Sequence, residues 1–380
     1  MIKPSGADCN LRCDYCFYLE KAALYPHAAR RRMSATVLAG LVRNYLAGPQ
    51  PGYSFCWQGG EPTLLGPPFF RRVTRLQEQH ARPGSVIANS VQTNAVSVDD
   101  ALAAHFADYR FLVGVSLDGP AEIHDRHRMG VEGRGTHARV LCGLEKLQRH
   151  GVEVNILTVV SRTNVGRAAD LYRYLRSLGF AHLQFIPCVM DLAGRGAPSA
   201  IISGAEWGAF LNELFDAWWP HDVSRVSIRL FDAVAAMLAY GRGSICTMAD
   251  SCCQYLVVEH NGDIYPCDFY VEPGLRLGNV LDDGLHEISR GRAYRQWGAQ
   301  KAALPEECHR CTFLALCQGD CPRNRLGGQP SSLCDGWLAF FGHTGPRFAE
   351  LAQLALARDD ATGVSRGAPV GETSRESGSS

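Results

Sequence analysis

The sequence has no excess of charge of either sign and no long apolar run. Its 38 Lys and Arg residues balance 38 Asp and Glu residues, so the formal net charge is zero. This balance predicts no electrostatic capture of nucleic acid or of an anionic membrane surface. No apolar run reaches the roughly 18–20 residues of a spanning helix, and no signal-peptide segment precedes Cys9. We therefore expect a cytoplasmic protein that binds neither nucleic acid nor membrane.

Cysteine, in contrast, is abundant, with fifteen among 380 residues. In a reducing compartment, clustered thiols indicate metal or redox sites rather than disulfides. The first three, Cys9, Cys13 and Cys16, have the spacing C-x3-C-x2-C. Three thiols can hold three irons of a four-iron cluster and leave the fourth iron open to a small molecule. The alternative is a zinc site that His27 or His80 completes.

Residues 1–240 alternate β-type runs with helical patterns, which predicts a parallel sheet with right-handed crossovers. Six βα units fit, so we expect an α/β fold with a partial (β/α)6 barrel, whose site lies at the carboxyl ends of the strands. Two more helices follow within residues 203–240. The predicted strands are "KPSG" near residue 3, 53–57, 86–93, 110–117, 152–160 and 182–187; the predicted helices between them are 34–48, 68–81, 99–108, 137–151 and 164–179.

The composition changes at Cys246, and residues 241–340 are predicted to form a second, cysteine-rich domain. Within it, "QYLVVEHNGDIYPCDFY" predicts a hairpin in which Asn261 and Gly262 supply a two-residue turn. We expect a final helix from about residue 335 to 356. Its part beyond the cysteine-rich domain is the C-terminal helix of the domain division, at 341–358. The Gly- and Ser-rich residues 359–380 predict a disordered tail.

The N-terminal cysteine motif, with Tyr15 before its third cysteine, resembles that of the radical S-adenosylmethionine enzymes. This resemblance implies that the open iron chelates the amino and carboxylate groups of S-adenosylmethionine. It also implies that the cluster reduces the sulfonium and releases a 5′-deoxyadenosyl radical.

Further motifs after the strands support the resemblance. "QGGEPTL" (58–64) is similar to the family's segment that contacts the methionine amino group, and "SLDGP" (116–120) to its carboxylate and ribose contacts. "QTNA" departs from the family's QTN-Gly at Ala95. Each proposed cofactor contact has a structural alternative: Tyr18 packs in the core, Asp118 caps a turn, and Arg126 and Arg128 lie in a solvated basic loop. The cofactor contacts implied by resemblance are Tyr18, Gln58, Gly59, Gly60, Glu61, Ser116, Asp118 and Arg128.

The C-terminal cysteines resemble the SPASM pattern of auxiliary-cluster domains, and eight of them suffice for two fully ligated four-iron clusters. Three [4Fe-4S] clusters are thus implied in total. A pair of zinc knuckles is the alternative, and Cys253 is an alternative to Cys252. Three of the remaining cysteines, Cys56, Cys142 and Cys188, we expect to be small buried hydrophobes. By resemblance, the first auxiliary cluster is held by Cys246, Cys252, Cys267 and Cys321, and the second by Cys308, Cys311, Cys317 and Cys334.

Among SPASM proteins, the chain looks most like the anaerobic sulfatase-maturating enzymes. The resemblance rests on "IKPSGADCNLRCDYCFY", "QGGEPTL", "SLDGP", "QFIPC" and "NGDIYPCDFY". It implies oxidation of a Cys or Ser in a sulfatase peptide or unfolded sulfatase to Cα-formylglycine. Asp268 matches the family's catalytic base, and a solvent-facing turn residue is its alternative. The implied electron donor is a flavodoxin or ferredoxin, and we expect a monomer.

Two other functions use similar sequence features. Some SPASM enzymes crosslink ribosomal peptides, often with an N-terminal leader-binding domain, and we expect no such domain before the barrel of this chain. A cysteine-rich zinc protein that recruits partners without chemistry would belong to a different class. Iron content and cofactor cleavage separate that class from an enzyme.

Overall fold

The structure is a computed structural model that describes residues 1–26, 30–189 and 199–362. His27 and the predicted tail beyond residue 362 lie outside the described residues. Within the described ranges, no helix is both long and apolar enough to cross a membrane.

Six parallel strands form the main sheet, and each pairs with the next strand along the chain. This topology confirms the predicted α/β fold with a six-stranded parallel sheet. The carboxyl ends of all six strands therefore share one edge, where the motifs that follow β1, β2 and β3 meet. The strands are β1 (Gly52–Trp57), β2 (Val86–Thr93), β3 (Leu112–Ser116), β4 (Val154–Val160), β5 (His182–Pro187) and β6 (Ser227–Ile228).

Helices cover the sheet and bury their apolar faces against it. In the first helix these residues include Leu38, Leu41 and Val42. Polar side chains begin several helices, such as Ser34, whose hydroxyl accepts from the Val37 N–H. The helices are α1 (Ala35–Leu46), α2 (Gly66–His80), α3 (Asp100–Asp108), α4 (Ala121–His127), α5 (His137–Arg149), α6 (Ala168–Ser177), α7 (Gly204–Trp218) and α8 (Arg229–Tyr240).

Within residues 1–240, one predicted strand is absent from the structure, and one strand and one helix of the structure were not predicted. "KPSG" is not a strand: residues 4–7 form a turn, and only Ile2 pairs, through single parallel bridges to Trp57 and Val258. Proline at position 4 and the positive φ of Gly6 favour that turn. The sixth strand is instead β6, whose two residues are too few to give a recognisable alternation. The short helix α4 was also not predicted.

The cysteine-rich part contains a small antiparallel sheet of β7 (Val257–Val258), β8 (Asp263–Tyr265) and β9 (Gly278–Asn279). The predicted hairpin is present, but its two-residue turn is wrong. The Glu259 N–H donates to the Asp263 carbonyl, and the Gly262 N–H donates to the Glu259 carbonyl. His260 therefore joins the connection as a third residue, and Gly262 adopts a positive φ of 93°.

Five more helices complete the described chain: α9 (Leu285–Arg290), α10 (Arg292–Ala299), α11 (Glu306–His309), α12 (Leu314–Cys317) and α13 (Cys334–Thr362). The last helix begins at Cys334, next to the predicted start near residue 335, and ends after the predicted residue 358. It packs closely on α7 because three glycines meet there. A side-chain carbon on Gly336 would overlap the carbonyl oxygen of Gly204 and approach the nitrogen of Gly208.

Replacing Gly336 by alanine is expected to lower the free energy of unfolding by about 1–3 kcal/mol, since a backbone oxygen cannot rotate away from the new methyl group. Gly342→Ala is the matched control in the same helix, because no atom lies within 4 Å of its added carbon. Helix propensity alone should make that variant more stable by up to about 1 kcal/mol. Denaturant unfolding of both variants measures the difference, and equal stabilities would contradict the close helix contact.

Candidate active site

The first cysteine loop lies against the segment that follows β1. The Gly60 N–H donates to the Gly6 carbonyl at 2.6 Å, and the Glu61 N–H donates to the Asp8 carbonyl at 2.8 Å. A side-chain carbon on Gly60 would overlap the Asp8 carbonyl oxygen. Glycine at this position therefore lets "QGGE" hold the backbone of the cysteine loop.

The loop brings its three thiols to one small pocket. Cys9, Cys13 and Cys16 line it together with Tyr18 and Gly60. Burial raises the pKa of Cys9 to about 12 and that of Cys13 to about 11. Three sulfur donors from one loop fit a four-iron cluster with one open iron. Two of the predicted cofactor contacts, Tyr18 and Gly60, lie at the same pocket.

The Glu61 carboxylate is buried and bonded to protein donors. Its Oε1 accepts from the Thr63 N–H at 3.0 Å and from the Thr93 hydroxyl at 2.7 Å, and its Oε2 accepts from the Asn94 N–H at 2.7 Å. Burial raises its pKa, while the Asn94 N–H opposes that shift. Glu61 thus joins the ends of β1 and β2.

Ala95 has a φ of 60°, so alanine here occupies the left-handed conformation that glycine adopts more readily.

A second buried network follows β3. Tyr15 donates its hydroxyl to Asp118, and the Arg128 guanidinium donates to the Tyr15 oxygen at 2.9 Å. Burial raises the pKa of Asp118, and the Arg128 charge opposes this. The Ser116 hydroxyl accepts from Gln92 at 3.1 Å. Arg128 is buried rather than part of a solvated loop.

The predicted ligands of the first auxiliary cluster come together from four separate segments. Cys246, Cys252, Cys267 and Cys321 line one cavity. Four sulfurs around one cavity fit a fully ligated four-iron cluster. Cys253 does not line that cavity, and its sulfur instead contacts the Tyr294 carbonyl at 3.6 Å.

The second predicted set is connected by electrostatic interactions between some of its thiols. Cys308 interacts with Cys311, Cys317 and Cys334, and Cys334 also interacts with Cys311 and Cys317. Asp320 joins the segments that carry two of them. Its carboxylate accepts from Asn324 at 2.9 Å and from the Ser331 hydroxyl at 2.6 Å.

Among the described residues, no three His, Cys, Asp or Glu side chains are arranged to hold a single metal ion in this structure. His80 ends α2 and therefore lies near the amino ends of the strands, opposite the cysteine loop. His27 is outside the described ranges.

The remaining cysteines differ in exposure. Cys188 is buried as expected, Cys56 is half-buried and Cys142 is exposed. The prediction of a buried Cys142 is therefore wrong. Its position on α5 faces solvent, whereas the neighbouring Gly143 and Leu144 face inward.

Asp268 lies between the two sites and is only 5% exposed, so the solvent-facing alternative is wrong. Its Oδ1 accepts from the Tyr255 hydroxyl at 3.0 Å, and the Cys267 sulfur lies 3.7 Å from the same atom. The Lys3 ammonium lies 3.6 Å from Oδ2. Sequence reasoning missed Lys3 and Tyr255, since neither has a local pattern that indicates a site.

Comparison of the sequence with known proteins identifies the family. The profile of the radical SAM superfamily matches residues 4–175, and that of the SPASM iron-sulfur cluster-binding domain matches residues 246–312. A serine-type anaerobic sulfatase-maturating enzyme of Bacteroides thetaiotaomicron is 36% identical over 91% of this chain and 89% of its own. A cysteine-type enzyme of Clostridium perfringens is 35% identical over 93% and 97%.

A solved structure, native anSMEcpe with bound AdoMet and Cp18Cys peptide, superposes with a TM-score of 0.87 at 34% identity, covering 93% of this chain and 98% of that one. Matches of this extent cover both the barrel and the cysteine-rich part. The chain therefore belongs to the anaerobic sulfatase-maturating enzymes, radical S-adenosylmethionine oxidoreductases that carry a SPASM domain and convert Cys or Ser to formylglycine.

Proposed function

We propose that this enzyme oxidises a Cys or Ser side chain of a sulfatase peptide to Cα-formylglycine, with Asp268 as the base. The observation that carries the proposal is the position of Asp268, which is buried beside the ligand Cys267 and ion-paired with a residue that contacts Tyr18 of the first pocket. Relatives of the serine type and of the cysteine type are almost equally similar to the chain, so both target residues remain candidates.

The donor sets fit the cofactors that the family implies. Cys9, Cys13 and Cys16 would hold the cluster that binds S-adenosylmethionine, and the two sets of four thiols would hold the auxiliary clusters. When bound, these groups supply a radical that removes one hydrogen atom from the substrate β-carbon and an acceptor for the second electron.

The protein residues must then manage the proton of the substrate thiol or hydroxyl. Loss of one hydrogen atom, one proton and one electron converts the side chain to a thioaldehyde or an aldehyde, and water hydrolyses the thioaldehyde. Asp268 is suited to take the proton, because a carboxylate within hydrogen-bond reach acts as a general base. Asp268 itself is only 5% exposed, so its carboxylate is largely shielded from bulk water.

The finer partners and compartment are also proposals. None of the fifteen cysteines forms a disulfide, which supports a reducing, cytoplasmic environment. Electrons would come from a flavodoxin- or ferredoxin-type donor, and the enzyme would act as a monomer on its peptide.

Anaerobically prepared enzyme is expected to contain about twelve irons per chain, four for each cluster. Cys252→Ser should lose about four of them, since it removes a thiol from the cavity of the first auxiliary cluster. Cys253→Ser is the matched control and should keep all of them. Iron analysis of the three proteins measures this, and an iron loss in the Cys253 variant alone would reverse the ligand assignment.

Asp268→Asn should still cleave S-adenosylmethionine but lose formylglycine formation by about 10²–10⁴-fold, because the amide cannot accept the proton. Asp263→Asn is the control, since Asp263 lies on the same hairpin but pairs with Arg276 away from the pocket. Quantifying 5′-deoxyadenosine and formylglycine in parallel tests the role. Normal product yield from Asp268→Asn would remove Asp268 as the base.

Peptides with the pattern C-x-P-x-R and S-x-P-x-R test the reaction class. We expect at least one to yield an aldehyde that a hydrazine reagent traps, because the substrate side chain loses two hydrogens. Mass spectrometry distinguishes this product from a thioether or carbon–carbon crosslink, which forms no aldehyde. A crosslinked product without aldehyde would favour the peptide-crosslinking alternative.

A further inference from the structure

Lys3 is a buried cation, and hydrogen bonds to both its N–H and its carbonyl fix the position of its backbone. The Lys3 N–H donates to the Val258 carbonyl at 2.8 Å, and the Gly6 N–H donates to the Lys3 carbonyl at 3.0 Å. The preceding residue, Ile2, bridges β1 and β7. The side chain of Lys3 is only 1% exposed. Its ammonium is therefore held at the junction of the barrel and the hairpin.

The segment after β1 leaves room for the lysine side chain. A side-chain carbon on Gly59 would lie 3.4 Å from the Cα and Cδ of Lys3, and still closer to the Gly6 carbonyl oxygen. Gly59 also has a φ of 140°, which disfavours other residues. The glycine at this position of the "QGGE" motif thus helps to accommodate Lys3.

The Lys3 ammonium contacts two side chains of the site. One is the Asp268 carboxylate, with Oδ2 at 3.6 Å. The other is the face of the Tyr18 ring, whose centroid lies 4.5 Å away. The Tyr18 hydroxyl in turn donates to the buried Glu259. A buried charge requires a partner of opposite sign, and Asp268 is that partner.

We propose that Lys3 is a positioning residue for the oxidation, which holds the Asp268 carboxylate in the orientation that accepts the substrate proton. Lys3 restrains Oδ2 while Tyr255 restrains Oδ1, so the carboxylate is held at both oxygens. This inference rests on the proposed role of Asp268. It predicts that loss of the cation uncouples cofactor cleavage from product formation.

The test compares Lys3→Met, Lys3→Arg and the control Lys146→Met. Lys146 is a half-buried lysine on α5 whose ammonium donates to the Val98 carbonyl and forms no ion pair with Asp268. For each protein, iron content, peptide binding, 5′-deoxyadenosine and formylglycine are measured anaerobically. Lys3→Met should keep its iron and cleave S-adenosylmethionine, but its ratio of formylglycine to 5′-deoxyadenosine should fall by about 10²-fold, the effect of misplacing a reacting group by about 1 Å.

Lys3→Arg should reach at least about a tenth of the unmodified enzyme's ratio of formylglycine to 5′-deoxyadenosine, because arginine keeps the positive charge although its shape differs. Lys146→Met should match the unmodified enzyme. A normal ratio in Lys3→Met would overturn the inference, as would a parallel loss of iron, cleavage and product in both Lys3 variants, which indicates a structural role. If only Lys3→Met fails to fold, a ratio in Lys3→Arg as low as that of Asp268→Asn also overturns it.

A double variant separates this inference from the proposed function. Because Lys3 acts through Asp268, Lys3→Met should change the ratio little when Asp268 is already asparagine. Full additivity of the two changes would refute the positioning role while leaving Asp268 as the base. Product formation by Asp268→Asn alone would instead refute the proposed base.

Discussion

The double pairing of Ile2 determines how the two parts of the molecule meet. Ile2 bridges Trp57 at the end of β1 and Val258 in β7, so one residue joins the parallel sheet to the small antiparallel sheet. This contact places the hairpin over the carboxyl edge of the barrel, where the cysteine loop also lies. Asp268 follows the second hairpin strand, and the bridge from Ile2 to Val258 helps to hold that strand pair at the site. Hydrogen bonds from Tyr18 to Glu259 and from Lys21 to the Val271 carbonyl join the same two parts.

The junction is polar although it is buried, and an ion pair and a hydrogen bond cross between the two parts. Lys3 faces Asp268, and Tyr18 donates to Glu259. Buried ion pairs contribute little net stability compared with apolar packing, because both charges lose their hydration. The Lys3–Asp268 pair and the Tyr18–Glu259 hydrogen bond each join a barrel residue to a residue of the cysteine-rich part, and we propose that the ion pair orients Asp268. The thiols show a related contrast: three share the pocket beside Tyr18, whereas four others line one cavity of the cysteine-rich part.

Local patterns predicted much of this structure, and pairing between distant residues explains what they missed. The alternation in 86–93 and the helical period in 68–81 each span enough residues to be recognised, and β2 and α2 follow them closely. Strand β6 has two residues, and Ile2 pairs alone, so neither produces a periodic pattern. The turn at Gly262 gained a third residue because Glu259 pairs with Asp263, which spacing does not reveal. Motif spacing indicated the cysteine groups, but Lys3 and Tyr255 become neighbours of Asp268 only in the folded chain.

The central claim is that the cysteine pocket of the barrel and Asp268 of the hairpin serve one substrate side chain. An anaerobic crystal structure of this enzyme with S-adenosylmethionine and a C-x-P-x-R peptide tests it most directly. We expect the peptide cysteine sulfur within roughly 3–4 Å of the Asp268 carboxylate, with its β-carbon facing the pocket of Cys9, Cys13 and Cys16. A peptide whose cysteine lies beyond hydrogen-bond reach of Asp268, with another base beside its sulfur, would contradict the claim.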